Sequence, residues 1–334
     1  MNHCIQRLSV LLAGLAYSLS IHANTPTICI FDLGGTSGDT YILMKDFALQ
    51  SQKWGVPLQL SVYAEETEVI RAFQQQDCQG MVLTDIAAHQ FNRFVGSMNA
   101  VGAIPNYRVA RAVYQTMLHP KLEPYMTEGR TEVAGVVPMG LVYSFSQDRQ
   151  YVATLGNMMG KRIGVLDTDP LQSRLIKRIG AQPIPQKTSR YQKLFNQHLI
   201  DILPAPVVAY SALELEQGLG EKGGVSRFPL LLLSQVLIVD PSAFPQGYGQ
   251  WGRGWMHAEV PRLLRQIDQH ERNIPTRRWV DIPAADQLGY RRLMREMRVN
   301  FIQEGIYDSK MLTLIKRVRC ALNPQEFDCG MTGE

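Results

Sequence analysis

Beyond Leu19 the chain has no apolar run approaching the roughly 18 to 20 residues that a membrane-spanning helix needs. It has no Gly-x-Ser-x-Gly elbow and no His-Glu-x-x-His pair, so the marks of an α/β hydrolase and of a zinc protease are missing. His89, His119, His198, His257 and His270 show no i, i+4 spacing, and the cysteine spacings match no structural zinc pattern. No metal, cofactor or catalytic residue is therefore expected. A charge excess of one sign is absent too. The balance of 34 basic and 30 acidic residues leaves +4, too little to argue for nucleic acid. The clusters Arg291, Arg292, Arg295, Arg298 and Lys316, Arg317, Arg319 fall on the polar side of helical patterns, where a solvated face is expected.

What is present begins with an export leader. Arg7 precedes an apolar run from Leu8 to Leu19, followed by Ser20-Ile21-His22-Ala23. That is the layout of a secretory signal, too short to anchor permanently, with a small residue before the cut. Cleavage is expected after Ala23, which places the remaining chain in the periplasm. Four cysteines then remain, Cys29, Cys78, Cys320 and Cys329, and an even number in an exported chain reads as two disulfides. Cys320 and Cys329 are close in sequence with a turn at Asn323-Pro324. Cys29 and Cys78 each open a predicted strand, and these strands are neighbours in the sheet derived below.

The segment Ile28–Asp39, ICIFDLGGTSGD, contains the DLGGT signature with which sugar kinases of the actin and hexokinase type grip phosphate. Those kinases follow the glycines with a strand. Here Leu43, Met44, Phe47, Ala48 and Trp54 recur at helical spacing, with Ser37 as N-cap and Gly55 as terminator. The reading is strand, glycine-rich turn, helix, a turn that can bind without reacting.

The pattern continues as alternation. Strand 28–32, helix 38–54, strand 58–63, helix 66–76 and strand 80–83 form one βαβαβ module. Strand 162–166, helix 170–179, strand 182–184, helix 191–198 and strand 200–203 form a second. Such modules build parallel sheets with the first strand between the other two. Between the modules runs VAGVVPMGLVYSFS (133–146), and after the second FPLLLLSQVLIV (228–239). Both suit strands that cross from one lobe to the other as a hinge. The last hundred residues read as helices, with a stripe of Tyr290, Leu293, Met294, Met297 and Phe301, and Asp308 capping the final one. QGYGQWGRGW (246–255) reads as a helix start. The expected fold is α/β, a two-lobed clamshell with parallel-core sheets, crossing hinge strands and a helical C-terminal region. Residues 24–138 form the first lobe, 139–235 the second, and 236–334 the return segment.

The segments FDLGGTSGDTY, KDFALQSQKWGV, FNRFVGSMNAVGAIP, FPQGYGQWGR, GIYDSKMLTLIKRVRC and FDCGMTGE resemble the AdeT group of solute-binding proteins across essentially the whole chain after the leader. That group is similar to the periplasmic receptors of TRAP transporters. The resemblance implies a type II periplasmic-binding-protein fold and a receptor that presents a small ligand to inner-membrane transporter subunits. It also implies an arginine on the first strand of the second lobe, gripping a substrate carboxylate. This chain has Lys161-Arg162-Ile163-Gly164-Val165 there, with Gly164 at the arginine's place and Arg162 two residues earlier. The loops expected to face the cleft carry Asp32, Gly35, Thr36, Asp39, Glu65, Thr84, Asp85 and Asp167, with Tyr143, Phe145 and Tyr210 available to stack. An acid-lined cleft favours a cationic or polyol ligand. Two other classes stay open. Some relatives carry a label as efflux accessories, which would make this an envelope-complex partner, and Asp167 with Asp169 keeps a secreted hydrolase as the lesser alternative.

Overall fold

The run Thr27–Phe31 is β1, buried from Ile28 onward as a central parallel strand must be. In the computed structural model the described residues are 25–334. The expected leader and its cleavage point after Ala23 lie outside them. The first module continues with α1 (Asp39–Lys53), β2 (Gln59–Tyr63), α2 (Glu66–Gln74) and β3 (Gly80–Thr84). Helices α3 (Asp85–Ala88), α4 (Arg93–Gly96) and α5 (Tyr107–Thr116) lead to β4 (Thr127–Glu128) and the 16-residue β5 (Thr131–Ser146). The second module is β6 (Arg162–Leu166), α6 (Pro170–Arg178), β7 (Gln182–Gln186), α7 (Thr188–Asn196) and β8 (Ile202–Pro206). Then come α8 (Ala209–Ala212), α9 (Glu216–Leu219), β9 (Gly224–Ser226) and β10 (Leu231–Val239). The chain ends with α10 (Tyr248–Asn273), β11 (Trp279–Val280), α11 (Ala284–Gln303) and α12 (Ser309–Leu322). Among the described residues no helix is long and apolar enough to cross a membrane.

The strand order is β2-β1-β3-β10-β5-β8-β6-β7. Each module places its first strand between the other two in parallel, as the alternation predicts. Strand β5 joins the two lobes. Its first part, Glu132 to Val142, pairs antiparallel with β10, and its last part, Val142 to Ser146, pairs with β8. The expected second crossing is made differently. β10 pairs with β5 from Leu231 onward and with β3 from Gln235 onward, and so lies in the first-lobe sheet. The chain returns through residues 227–230, where the Leu230 N–H donates to the Val142 carbonyl at 2.8 Å.

Both disulfides form as expected, Cys29–Cys78 and Cys320–Cys329. The expectation of solvated basic faces fails at Arg298, Arg319 and Lys316, all three of them buried, Lys316 donating to the Met331 carbonyl. Arg298 and Arg319, 2% and 4% exposed, converge on Asp328 at 3.1 and 2.6 Å and donate to the Val101 and Ala103 carbonyls. Glu334 completes the cluster at 2.8 Å from Arg298. These arginines pin the C-terminal segment to the first lobe, because a buried guanidinium has to satisfy its donors inside the protein. The aromatic start of α10 packs against α1, with Trp54 stacked on Trp251 at 5.3 Å between ring centroids.

Candidate functional site

The DLGGT turn is built around a carboxylate. Asp32 follows β1 and accepts from the Gly34 N–H at 2.8 Å and the Tyr41 N–H at 3.0 Å, so it caps α1 from outside the helix. Ser37 does not cap. The N-cap is Gly38, without a side-chain bond. A Cβ on Gly38 would lie 1.9 Å from the Asp32 carboxylate, so the glycine is needed where the acid folds back on the backbone. Gly55, at φ 98°, ends α1 as expected.

Above the strand ends lies a cavity of about 1140 Å³ walled by both lobes and by Phe301, Ile306 and Tyr307 of the C-terminal region. Asp32, Asp39 and Thr84 line it, together with Thr40, Glu66, Asn99, Ser144, Asp169 and Gln235. Leu166, Leu171, Leu175, Ile176, Val208 and Leu213 supply an aliphatic wall from the second lobe. Arg71 is the one arginine of the lining, and no lysine is present there.

The remaining expected contacts sit elsewhere. Gly35 and Thr36 belong to the same turn as Asp32 but stay outside the lining, Thr36 being exposed. Glu65 accepts from the Ser189 N–H across the lobes at 3.3 Å. Asp167 is exposed, and its neighbours Thr168 and Asp169 take its place. Tyr143 and Phe145 face away from the cavity, because β5 alternates and Val142 and Ser144 point inward. Tyr143 meets Glu271 at 3.5 Å, whereas Phe145 stacks on Tyr210, whose hydroxyl donates to Glu216.

The acids in and behind the lining differ in state. Asp169, ahead of Pro170, accepts from the Leu171 and Gln172 N–H groups at 2.9 and 3.2 Å and caps α6. Glu66 is 3% exposed and takes both the N–H and the hydroxyl of Thr84 on Oε1, at 2.7 and 2.8 Å. Burial pushes its carboxyl up to about 7, with Thr84 pulling back and Glu65 adding a little. Asp85 is fully buried behind Thr84. Its Oδ2 accepts from the Ser234 N–H at 3.2 Å, Oδ1 has no partner, and burial pushes it up to about 8. Glu66 was not singled out in the sequence, yet it shares the buried stripe of α2 with Val69, three residues on. Helical periodicity prefers it to Glu65.

Arg162 does not substitute for an arginine at Gly164. Its guanidinium holds Asp201 at 2.6 and 3.2 Å, and the Arg162 N–H donates to the same carboxylate at 2.8 Å. At Gly164 a Cβ would meet Ile200 at 2.8 Å and the Tyr191 ring at 3.3 Å, so that space is filled. As for metal ligands, Cys320, Asp328 and Cys329 come together, but both sulfurs are in the disulfide.

Solved structures share this architecture. A TRAP periplasmic solute binding protein from Ralstonia eutropha H16, with (S)-2-acetolactate bound, superposes with a TM-score of 0.73 at 11% identity, over 89% of this chain and 98% of that one. One from Desulfovibrio salexigens, with orotic acid bound, gives 0.71 at 13%, over 88% and 97%. In sequence, the family model described as solute-binding protein AdeT 1/2 matches residues 48–334. The Acinetobacter baumannii protein named "Probable solute-binding protein AdeT1" is 38% identical over 305 residues, which are 91% of this chain and 100% of that protein. Its compatriot AdeT2 is 31% identical over 238 residues, 71% of this chain and 100% of that protein. With two lobes closed on one cavity and this match along most of its length, the chain belongs to the AdeT 1/2 family of solute-binding proteins.

Proposed function

We propose that the protein is a periplasmic receptor that closes its two lobes on a small cationic or polyol ligand and hands it, unreacted, to an inner-membrane transporter. The observation that carries this reading is the cavity of about 1140 Å³ whose wall is shared by both lobes. A ligand there touches both lobes only in the closed form, so it has a higher affinity for that form and shifts the population toward it. The preference over an organic acid follows from the lining. Arg162 is held by Asp201, Gly164 is backed by side chains, and Arg71 is exposed on α2 and lies 3.9 Å from Glu68. Asp39 and Thr84 then remain, of the residues expected from the sequence, as polar contacts at the first-lobe side, with Asp32 acting through the turn it holds.

The test uses protein purified from the periplasm, with native mass spectrometry to identify the bound mass. Small-angle scattering is recorded before and after the ligand is removed. Removal is expected to enlarge the radius of gyration, and a hundredfold excess over Kd is expected to restore about 2.7 kcal/mol of stability. An unchanged radius, or a ligand that leaves chemically altered, overturns the receptor reading. N-terminal sequencing of the same material is expected to begin at Asn24.

A further inference from the structure

The geometry points to an amphipathic amine as the ligand, with its ammonium received by Glu66 and its apolar body laid against the second lobe. This rests on the receptor reading above and narrows it. The two sides of the cavity differ in kind. The first-lobe side gathers Glu66, Thr84, Asn99 and Gln235, with Asp85 directly behind. On the opposite side the loop after β8 continues as Val207-Val208-Ala209, and α6 contributes Leu171 and Leu175.

Each ligand class meets this asymmetry differently. A carboxylate placed near Glu66 would oppose that acid's ionisation further, and the lining offers no buried cation to neutralise the ligand's own charge. A polyol would give up water along an aliphatic wall that returns it no hydrogen bond. A primary ammonium has three donors and no acceptor. It suits a carboxylate already supplied on Oε1 by both donors of Thr84, and its charge favours ionised Glu66 in a place where burial alone opposes ionisation. The other charged groups of the lining leave this role open, Arg71 being exposed on α2 and 3.9 Å from Glu68. Asp32 and Asp169 are engaged with helix N-termini, and Asp39 lies 3.6 Å from His270. His89 turns its Nε2 to the Ile306 carbonyl at 2.9 Å.

The experiment measures binding of four probes to the ligand-free mature chain by calorimetry, namely octylamine, octanol, octanoate and spermidine, together with the shorter butylamine and hexylamine. Octylamine is expected to bind most tightly, and within the amine series each added methylene is expected to tighten binding about fourfold. Glu66→Gln is expected to lower the ratio of octylamine to octanol affinity at least tenfold. Octanol equal to octylamine removes the ammonium from the assignment, spermidine tighter than octylamine removes the apolar body, and octanoate tightest overturns both. Binding by none of the probes also overturns it. The order of the wild-type probes decides the matter even if Glu66→Gln does not fold. Scattering separates the two readings: a probe or native ligand of another class that still shrinks the radius leaves the receptor standing without the amine.

Discussion

The two βαβαβ modules share a strand order and differ in what fastens them and in what they present. In the first, Cys29 near the start of β1 is bonded to Cys78 just before β3. In the second the matching places hold Arg162, which opens β6, and Asp201, just before β8, joined by an ion pair. One module is stapled covalently and the other electrostatically. The first loop of each carries an acid that caps the next helix, Asp32 in one and Asp169 in the other. Beyond the later strands the modules diverge. The first has Glu66 after β2 and Asp85 after β3, whereas the second has Lys187-Thr188 after β7 and Val207-Val208 after β8. A duplicated scaffold thus keeps its turn chemistry and varies what faces the cavity, which is how one fold serves different ligands.

The largest effect is expected from the staples. Removing Cys29–Cys78 by Cys29→Ala with Cys78→Ala should cost about 4 kcal/mol by the chain-entropy account. Breaking the half-exposed pair with Arg162→Met should cost about 1 kcal/mol or less. Urea unfolding of both variants measures the contrast, and equal losses would dissolve it. Next comes the pH response of Glu66. Its folded carboxyl sits at about 7 against 4.5 unfolded, so the native state holds the extra proton. Its contribution to stability is fully present below about 4.5 and is lost as pH rises through 7. The loss is on the order of 3 kcal/mol, and Asp85 adds to it with the same sign. Glu66→Gln should therefore flatten the stability-versus-pH curve between pH 4.5 and 8, and an unaltered slope would place the proton elsewhere. The smallest effect is at the caps. Asp32→Ala and Asp169→Ala should each cost about 1 kcal/mol of unliganded stability. If Asp32→Ala leaves stability untouched but abolishes ligand binding, Asp32 is a contact and the parallel between the two turns is broken.

Much of this organisation was legible in the residues. The alternation of apolar runs and helical stripes placed both modules and both disulfides, because local periodicity and strand order suffice for them. The DLGGT glycines were read correctly as a strand–turn–helix. What escaped depended on distant partners. Asp32 caps through Tyr41, nine residues on, which no capping pattern spells out. Arg298 and Arg319 look like members of solvated basic runs until Asp328 and Glu334 arrive to bury them. Tyr143 and Phe145 were the natural stacking candidates on β5. Alternation says only that odd and even residues part company, and the side each takes depends on how the strand is registered with β10.

That registration contains an irregularity at Met139. Leu233 of β10 stands opposite Gly140 and Ser234 opposite Pro138, so Met139 is an extra residue in the ladder, followed by Gly140 at φ 127°. Met139 itself lines the cavity. The bulge absorbs the extra residue, so pairing resumes one-for-one from Gly140 to Val142. Loss of a single codon there, with the ladder closing up, would leave the pairs Ser234–Pro138, Leu233–Gly140 and Leu231–Val142 in place, so Val142 and Ser144 would stay inward and only the Met139 side chain would leave the wall. The cavity wall can thus gain or lose one side chain at the bulge while the strand that joins the lobes keeps its register on both sides of it.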